Sequence, residues 1–288
     1  VGANLALKEA LKTQWGKSVT SACIDPPPEY GLLLKGAFEY VNDFNPADFD
    51  LYISVDCGAS YMIKFHEKKP ELFDKSKPFI NIDHHPSNDN FGTHNLVHDT
   101  AAAASFTVYH LLKYLGFTIT RDIATALLLG LYYDTGSFMH SNTSKEVLET
   151  AGELIARGAE QKKITKALFH TTPVSQLKLW GRILARAHVN DKGAVVSAVT
   201  EQDLEECNSK PEETTGAIDY LNAVEGSRLS ILLAEDRKGN IKGSMRTQRD
   251  DIDLTRLAGL FGGGGHKKAS GFTLPGKLRP ETTWRVTM

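Results

Sequence analysis

Two short runs constrain this chain more than anything else in it. LYISV (51–55) and PFINI (78–82) are rich in β-branched residues, almost continuously apolar, and each stops at an acid, Asp56 and Asp83. Such runs suit strands buried on both faces, and the segments between them are long enough for crossovers, so they predict a parallel sheet covered by helices. Sheets of this kind place ligands beyond the carboxyl ends of their strands, which is where the two acids stand. A third run, SVTSACI (18–24), fits the same pattern and precedes Asp25. The PPPEY that follows reads as an extended loop, and Asp25 is left out of the site.

Helical spacing fills much of the remainder. VGANLALKEALKTQWGK opens the chain inside a helical pattern, without a Met or a capping residue, which predicts that a segment upstream is missing. TAAAASFTVYHLLKYLG, DIATALLLGLYY and SKEVLETAGELIARG carry apolar residues three and four apart; the last starts at a capping box, Thr143 to Glu146, and stops at Gly158. Thr172 and Pro173 open a further helix with a stripe of Leu177, Trp180, Ile183, Leu184 and Ala187. From about residue 190 the texture turns to short β runs: AVVSAVT, then LSILLAED and IKGSMRTQ joined by a KGN turn, a helix-like DLTRLAGLF and a loop GGGGHKKAS before GFTL. The expected division is 1–170, a connector helix over 171–189, and a smaller α/β domain over 190–288.

Composition narrows the classes of partner. With 288 residues, 41% of them hydrophobic, a net charge of -2 and a pI near 6.6, the chain can bury a core but raises no broad basic field to gather long nucleic acid. Cys23, Cys57 and Cys207 lie far apart and form no C-x-x-C, against both a disulfide framework and a cysteine zinc site, and the expected compartment is the cytoplasm. The longest apolar stretch, near ATALLLGLYY, is about half of the roughly 20 residues that span a bilayer, so no membrane partner is expected.

The acids and imidazoles at strand ends form a set: Asp56 in SVDCGAS, Asp83, His84 and His85 in NIDHHPS, and Asp134 in LYYDTGSF. Adjacent polar groups closing a buried strand are costly unless something pairs with them. Oxygen and nitrogen donors without sulfur suit Mn²⁺ or a similar transition ion. Each residue also has a plain reading: Asp56 and Asp134 as turn formers, the triplet as exposed loop. His94, His98, His110 and His170 are read as surface or packing residues, whereas His140 follows Asp134 closely enough to face the same cleft.

A second cluster is GGGGHKKASGF. Four consecutive glycines (262–265) contribute no side-chain packing, and bare backbone N–H groups beside His266, Lys267 and Lys268 suit an anion; the alternative is a flexible linker. Between Arg237 and Lys268 there are eight basic and three acidic residues, a local charge of +5. Arg246 could face the glycines and take a phosphate with its guanidinium, or lie on a solvated edge strand.

VDCG, IDHHPSN, YDTGSF and GGGGHKKASGF, in this order, resemble the DHH phosphoesterase superfamily with its DHH-associated C-terminal domain, and within it the nanoRNase and pAp-phosphatase (bifunctional oligoribonuclease) branch. The resemblance implies a Rossmann-like N-terminal domain holding two ions, usually Mn²⁺ with Mg²⁺ or Co²⁺ as alternatives. It implies that Asp56 bridges both ions, that His84 and Asp134 complete one of them, that Asp83 orients the imidazoles and that His85 faces the scissile phosphate. Arg246, Gly263, Gly264, Gly265 and His266 would grip the substrate's terminal phosphate or sugar. The implied substrates are short 5′-phosphorylated RNA and 3′-phosphoadenosine 5′-phosphate, the implied assembly a homodimer. The family's first motif, a His followed by D-x-D, would fall just before Val1, and without it weak metal binding is expected. Rival readings are a linear di-adenylate or cyclic dinucleotide phosphodiesterase, a RecJ-like single-strand exonuclease, a pyrophosphatase, a nucleotide-binding module without a working metal centre, and a plain interaction protein.

Overall fold

The computed structural model describes residues 1–25, 39–169 and 172–279, and the chain divides into two compact units, Val1–Thr171 and Thr172–Met288. The PPPEY loop and His170 lie outside the described residues. Among the described residues no helix is long and apolar enough to cross a membrane.

The first unit runs α1 (Gly2–Gln14), β1 (Ser21–Ala22), β2 (Tyr40–Val41), β3 (Tyr52–Val55), β4 (Phe79–Asp83), β5 (His94–Val97), α2 (Ala104–Tyr114), α3 (Arg121–Asp134), α4 (Lys145–Ala156) and α5 (Gln161–Phe169). β3, β4 and β5 form a parallel sheet in that order, and β1 pairs with β2, also in parallel. The register sets Val55 against Ile82, so the residues that follow, Asp56 and Asp83, finish on one rim. α3 is buried on nearly every side, with Ile123, Leu127, Leu128 and Leu131 packed against Val108 and Leu112 of α2 and Leu154 of α4. A helix so enclosed holds its last residue, Asp134, with little play.

Three expectations need adjustment here. The first β run shrinks to two residues, Ser21–Ala22. β5 was not foreseen, because HNLV is short and three of its four residues are exposed. The cap of α4 is Ser144 rather than Thr143: its hydroxyl accepts from the Val147 N–H at 3.4 Å and donates to Glu146 at 2.7 Å.

The second unit runs α6 (Val174–Arg186), β6 (His188–Val189), β7 (Ala194–Val199), α7 (Glu201–Glu206), α8 (Ala217–Asn222), β8 (Leu229–Glu235), β9 (Asn240–Arg246), α9 (Leu254–Gly259), β10 (Gly264–His266) and β11 (Ala269–Pro275). Its six-stranded sheet has the order β10-β11-β9-β8-β7-β6, antiparallel except for the β7–β8 pair. The helix expected to be a connector belongs to this unit's core through Leu179 and Ile183, one turn apart, while Leu177 and Leu184 of the expected stripe are exposed. Asp203 ties α6 to α7: it is buried, accepts from Arg182 at 2.9 Å and from Arg186 at 2.6 Å, and closes a capping box with Thr200.

Candidate metal centre

The rim of the parallel sheet gathers the acids and imidazoles. Asp56 leaves β3 in left-handed backbone, φ 65°, a conformation that Asp adopts at less cost than most residues with a Cβ, and its N–H donates to the Ile82 carbonyl at 2.9 Å. His84 is buried directly after β4, and its Nδ1 lies 3.1 Å from the Ala101 carbonyl. A carbonyl can only accept, so Nδ1 carries the proton. The other nitrogen, Nε2, lies 3.4 Å from Asp56 Oδ1 and 3.9 Å from Asp134 Oδ2.

Asp134 reaches the rim as the last residue of α3. Asn142 pins the helix end there: its Nδ2 donates to the Asp134 carbonyl at 3.2 Å and to the Ala102 carbonyl at 3.1 Å, next to the group that orients His84. His140 packs over Gly136 and meets the Asp134 carbonyl at 3.4 Å, so it supports this turn from the backbone side. A cavity of about 360 Å³ lined by residues 20–25 and 51–57, among others, opens beside Asp56.

Asp56, Asp83, His84 and His85 each offer one ligand atom, all within 4.8 Å of one another, a group that could hold a metal ion, and Asp134 stands beside it, 3.9 Å from His84 Nε2. Among the described residues neither Asp56 nor Asp134 pairs with a Lys or Arg, so the negative charge falls first to His84, with smaller help from the amino terminus and His85. The electrostatics record that imbalance. Burial and the Asp56 charge push Asp134 up to about 7. Burial disfavours a charged His84 ring, but the Asp56 hydrogen bond and the two carboxylates override it and raise the ring to about 9. A cation must displace these protons. We therefore expect affinity for Mn²⁺ to climb with pH about tenfold per unit between 7 and 9, as one proton leaves His84, more steeply below 7, where Asp134 also gives one up, and to level off above 9. Calorimetric titration of the metal across this range checks it; an affinity independent of pH would exclude His84 as a ligand.

Behind the rim, Asp83 is fully buried and occupied on both oxygens. Its Oδ1 meets His85 Nδ1 at 2.8 Å and its Oδ2 accepts from Asn88 at 2.6 Å. Burial opposes its charge, yet these two hydrogen bonds hold the carboxyl below its ordinary value. Asp83 thus anchors His85 while one of its oxygens also belongs to the cluster. Asn88 and Asn142 escaped the sequence reading because asparagine beside Pro, Ser or Thr reads as a turn former.

In the second unit, His266, Ala269, Arg246 and Ser230 stand in one row across β10, β11, β9 and β8, and directly paired residues share a sheet face. Only the methyl of Ala269 lies between the His266 and Arg246 positions, and Gly264, Gly271 and Ser244 form the next row on that face. The floor is small and the flanks are basic, which suits an anion. Arg246 sits 3.6 Å from Asp219 and bonds its own chain through the Met245 carbonyl. The glycines are not a linker: Gly262 (φ 68°) closes the end of α9, a Cβ on Gly263 would meet the Gly271 carbonyl at 2.1 Å, and Gly265 has φ 137°. Left-handed backbone at Gly262, close packing at Gly263 and both at Gly265 thus account for three of the four. At Gly264 a Cβ would meet nothing within 4 Å.

A parallel sheet whose strand ends hold Asp-His-His beside two further acids defines a DHH-type phosphoesterase frame, and the comparisons agree. Residues 191–282 match the DHHA1 domain. The bifunctional oligoribonuclease and PAP phosphatase NrnA of Thermus thermophilus is 35% identical over 197 residues, covering 68% of this chain and 59% of that protein. The protein of the same name from Bacillus subtilis is 23% identical over 276 residues, covering 95% of this chain and 84% of its own. An exopolyphosphatase-related protein from Bacteroides fragilis shares the fold, with a TM-score of 0.85 at 23% identity over 98% of this chain and 84% of that one. The chain belongs to the DHH phosphoesterase superfamily, in its nanoRNase and PAP phosphatase branch.

Proposed function

We propose that the protein is a metal-dependent phosphoesterase that hydrolyses very short 5′-phosphorylated oligoribonucleotides and 3′-phosphoadenosine 5′-phosphate. The observation that carries this reading is the convergence of His84 Nε2, Asp56 and Asp134, at 3.4 and 3.9 Å. The names of the Thermus and Bacillus relatives support the substrate class.

Asp56, His84 and Asp134 would hold Mn²⁺. Bound divalent ions lower the pKa of water and shield phosphoryl oxygens. His85, its Nδ1 engaged by Asp83, would turn its other nitrogen to the scissile phosphate and hold that group in line. In the second unit, Arg246, His266 and the backbone of Gly263, Gly264 and Gly265 would take the substrate's terminal phosphate or sugar. A grip on a chain end selects short substrates, in keeping with a net charge of only -2. Three unpaired cysteines favour a cytoplasmic setting, and family resemblance favours a homodimer.

Turnover with Mn²⁺ on pAp, pApA, a short DNA strand and pyrophosphate tests the reading. The first two should dominate, and Arg246→Ala should raise KM for them about 10- to 100-fold with little change in kcat, the loss expected for one charge-assisted hydrogen bond. Preference for DNA or pyrophosphate would replace this substrate assignment; nucleotide binding without turnover would make the chain a binding module.

A further inference from the structure

The amide of Asn88 makes four hydrogen bonds. Its Nδ2 donates to Asp83 Oδ2 at 2.6 Å and to the Cys57 carbonyl at 3.0 Å, while its Oδ1 accepts from Asn81 Nδ2 at 2.8 Å and from the Asn90 N–H at 2.8 Å. That exhausts the donors and leaves no freedom of orientation, since a flipped amide would aim oxygen at a carboxylate and a carbonyl. Asn81 is itself fully buried and donates also to Asn95 at 3.2 Å on β5. A line of amides therefore runs from β5 across β4 to the rim.

Both ends of this line reach the site. Through the Cys57 carbonyl, Asn88 fixes the turn directly after Asp56; through Asp83 Oδ2 it leaves Oδ1 in place for His85 Nδ1, 2.8 Å away. Asp83 also accepts from the His84 N–H, so without Asn88 it would swing toward the remaining donors and carry the imidazole with it. We propose that Asn88 is a positioning residue that sets the ring orientation and tautomer of His85 through Asp83 and locks the backbone at Asp56 to the same frame. Its role requires no contact with substrate or metal.

The inference rests on the proposed activity for its kinetic part only; its structural part is tested without metal. Long-range ¹H–¹⁵N spectra of the metal-free protein at fixed pH should show His85 with its proton on Nδ1, and Asn88→Ala should move those nitrogen shifts. In Mn²⁺-dependent turnover of pAp, the same variant should lose about 10- to 100-fold in kcat with KM within about twofold, the usual size of an outer-shell defect. Asn81→Ala, which removes one donor from behind Asn88, should give the same changes at smaller amplitude. If Asn88→Ala does not fold, Asn88→Asp keeps its shape while setting a carboxylate against Asp83, and it should show the same signature. Unchanged His85 shifts in a folded variant would overturn the proposal even if no substrate is turned over, and a loss confined to KM would overturn it as well. If the wild type is inactive on every substrate, the proposed function fails while the spectra still decide this point.

Discussion

Replacing His84 with Ala is expected to abolish specific Mn²⁺ binding and to lower turnover about 10³-fold. Among the described residues the ring is the one buried imidazole that pairs with both Asp56 and Asp134, held there by the Ala101 carbonyl at 3.1 Å. Without it, the two carboxylates face each other with no Lys or Arg partner among the described residues. Asp134, already pushed up to about 7, would then keep its proton more firmly and be a poorer ligand at neutral pH. Metal-supplied stabilisation of a phosphoryl transition state amounts to several kcal/mol, and each 1.36 kcal/mol is about tenfold in rate, which gives the stated magnitude. Calorimetry with Mn²⁺ and turnover of pAp measure the two halves. A variant that keeps wild-type affinity and rate would remove the centre from the mechanism.

The second large effect is on stability. Asp203→Ala should destabilise the second unit by about 3 kcal/mol and lower its melting midpoint by about 10 °C, because a buried carboxylate with two arginine partners and a helix cap disappears at once. Arg182 and Arg186 are partly exposed and can turn to water, which keeps the cost near the lower end for broken buried pairs. The pH dependence has a definite sign. Burial opposes the charge of Asp203, but hydrogen bonds from Arg186, Thr200 and Arg182 hold its carboxyl far below the ordinary 3.8. Its contribution is therefore fully present above 3.8 and is lost as pH falls toward the depressed folded value. Denaturant unfolding at pH 7 should show the full gap between wild type and variant, and the gap should shrink in stronger acid. An equal gap at every pH would mean that packing, not charge, holds α6 to α7.

The gathering of acids and imidazoles on one rim was legible in the chain because its logic is local: an apolar strand that stops at an acid announces a rim, and Asp56, Asp83 and His84 each sit at or beside a strand end. Asp134 was legible for a different reason, as the end of a helix apolar on every side. The amide line was not, since Asn81, Asn88 and Asn95 act only together and no residue within three positions shows that they meet. The glycines were half legible. Their position beside His266 pointed to an anion, but the tight approach of Gly263 to the Gly271 carbonyl depends on a pairing between β10 and β11 that GGGGHKKAS does not advertise. α5 was hidden by a polar start, QKKITK, that lacks an apolar stripe.

The hairpin of β10 and β11 turns over just two residues, Lys267 and Lys268. Strands alternate sides with every residue, so the shortness of this bend is a counting rule: parity alone keeps the His266 imidazole on the side of the Arg246 guanidinium. Substitutions in the bend leave that arithmetic intact, whereas one inserted or deleted residue reverses it unless a wider loop or a bulge absorbs the change. Length variation in the bend is therefore a graver threat to this surface than an exchange of its two lysine side chains.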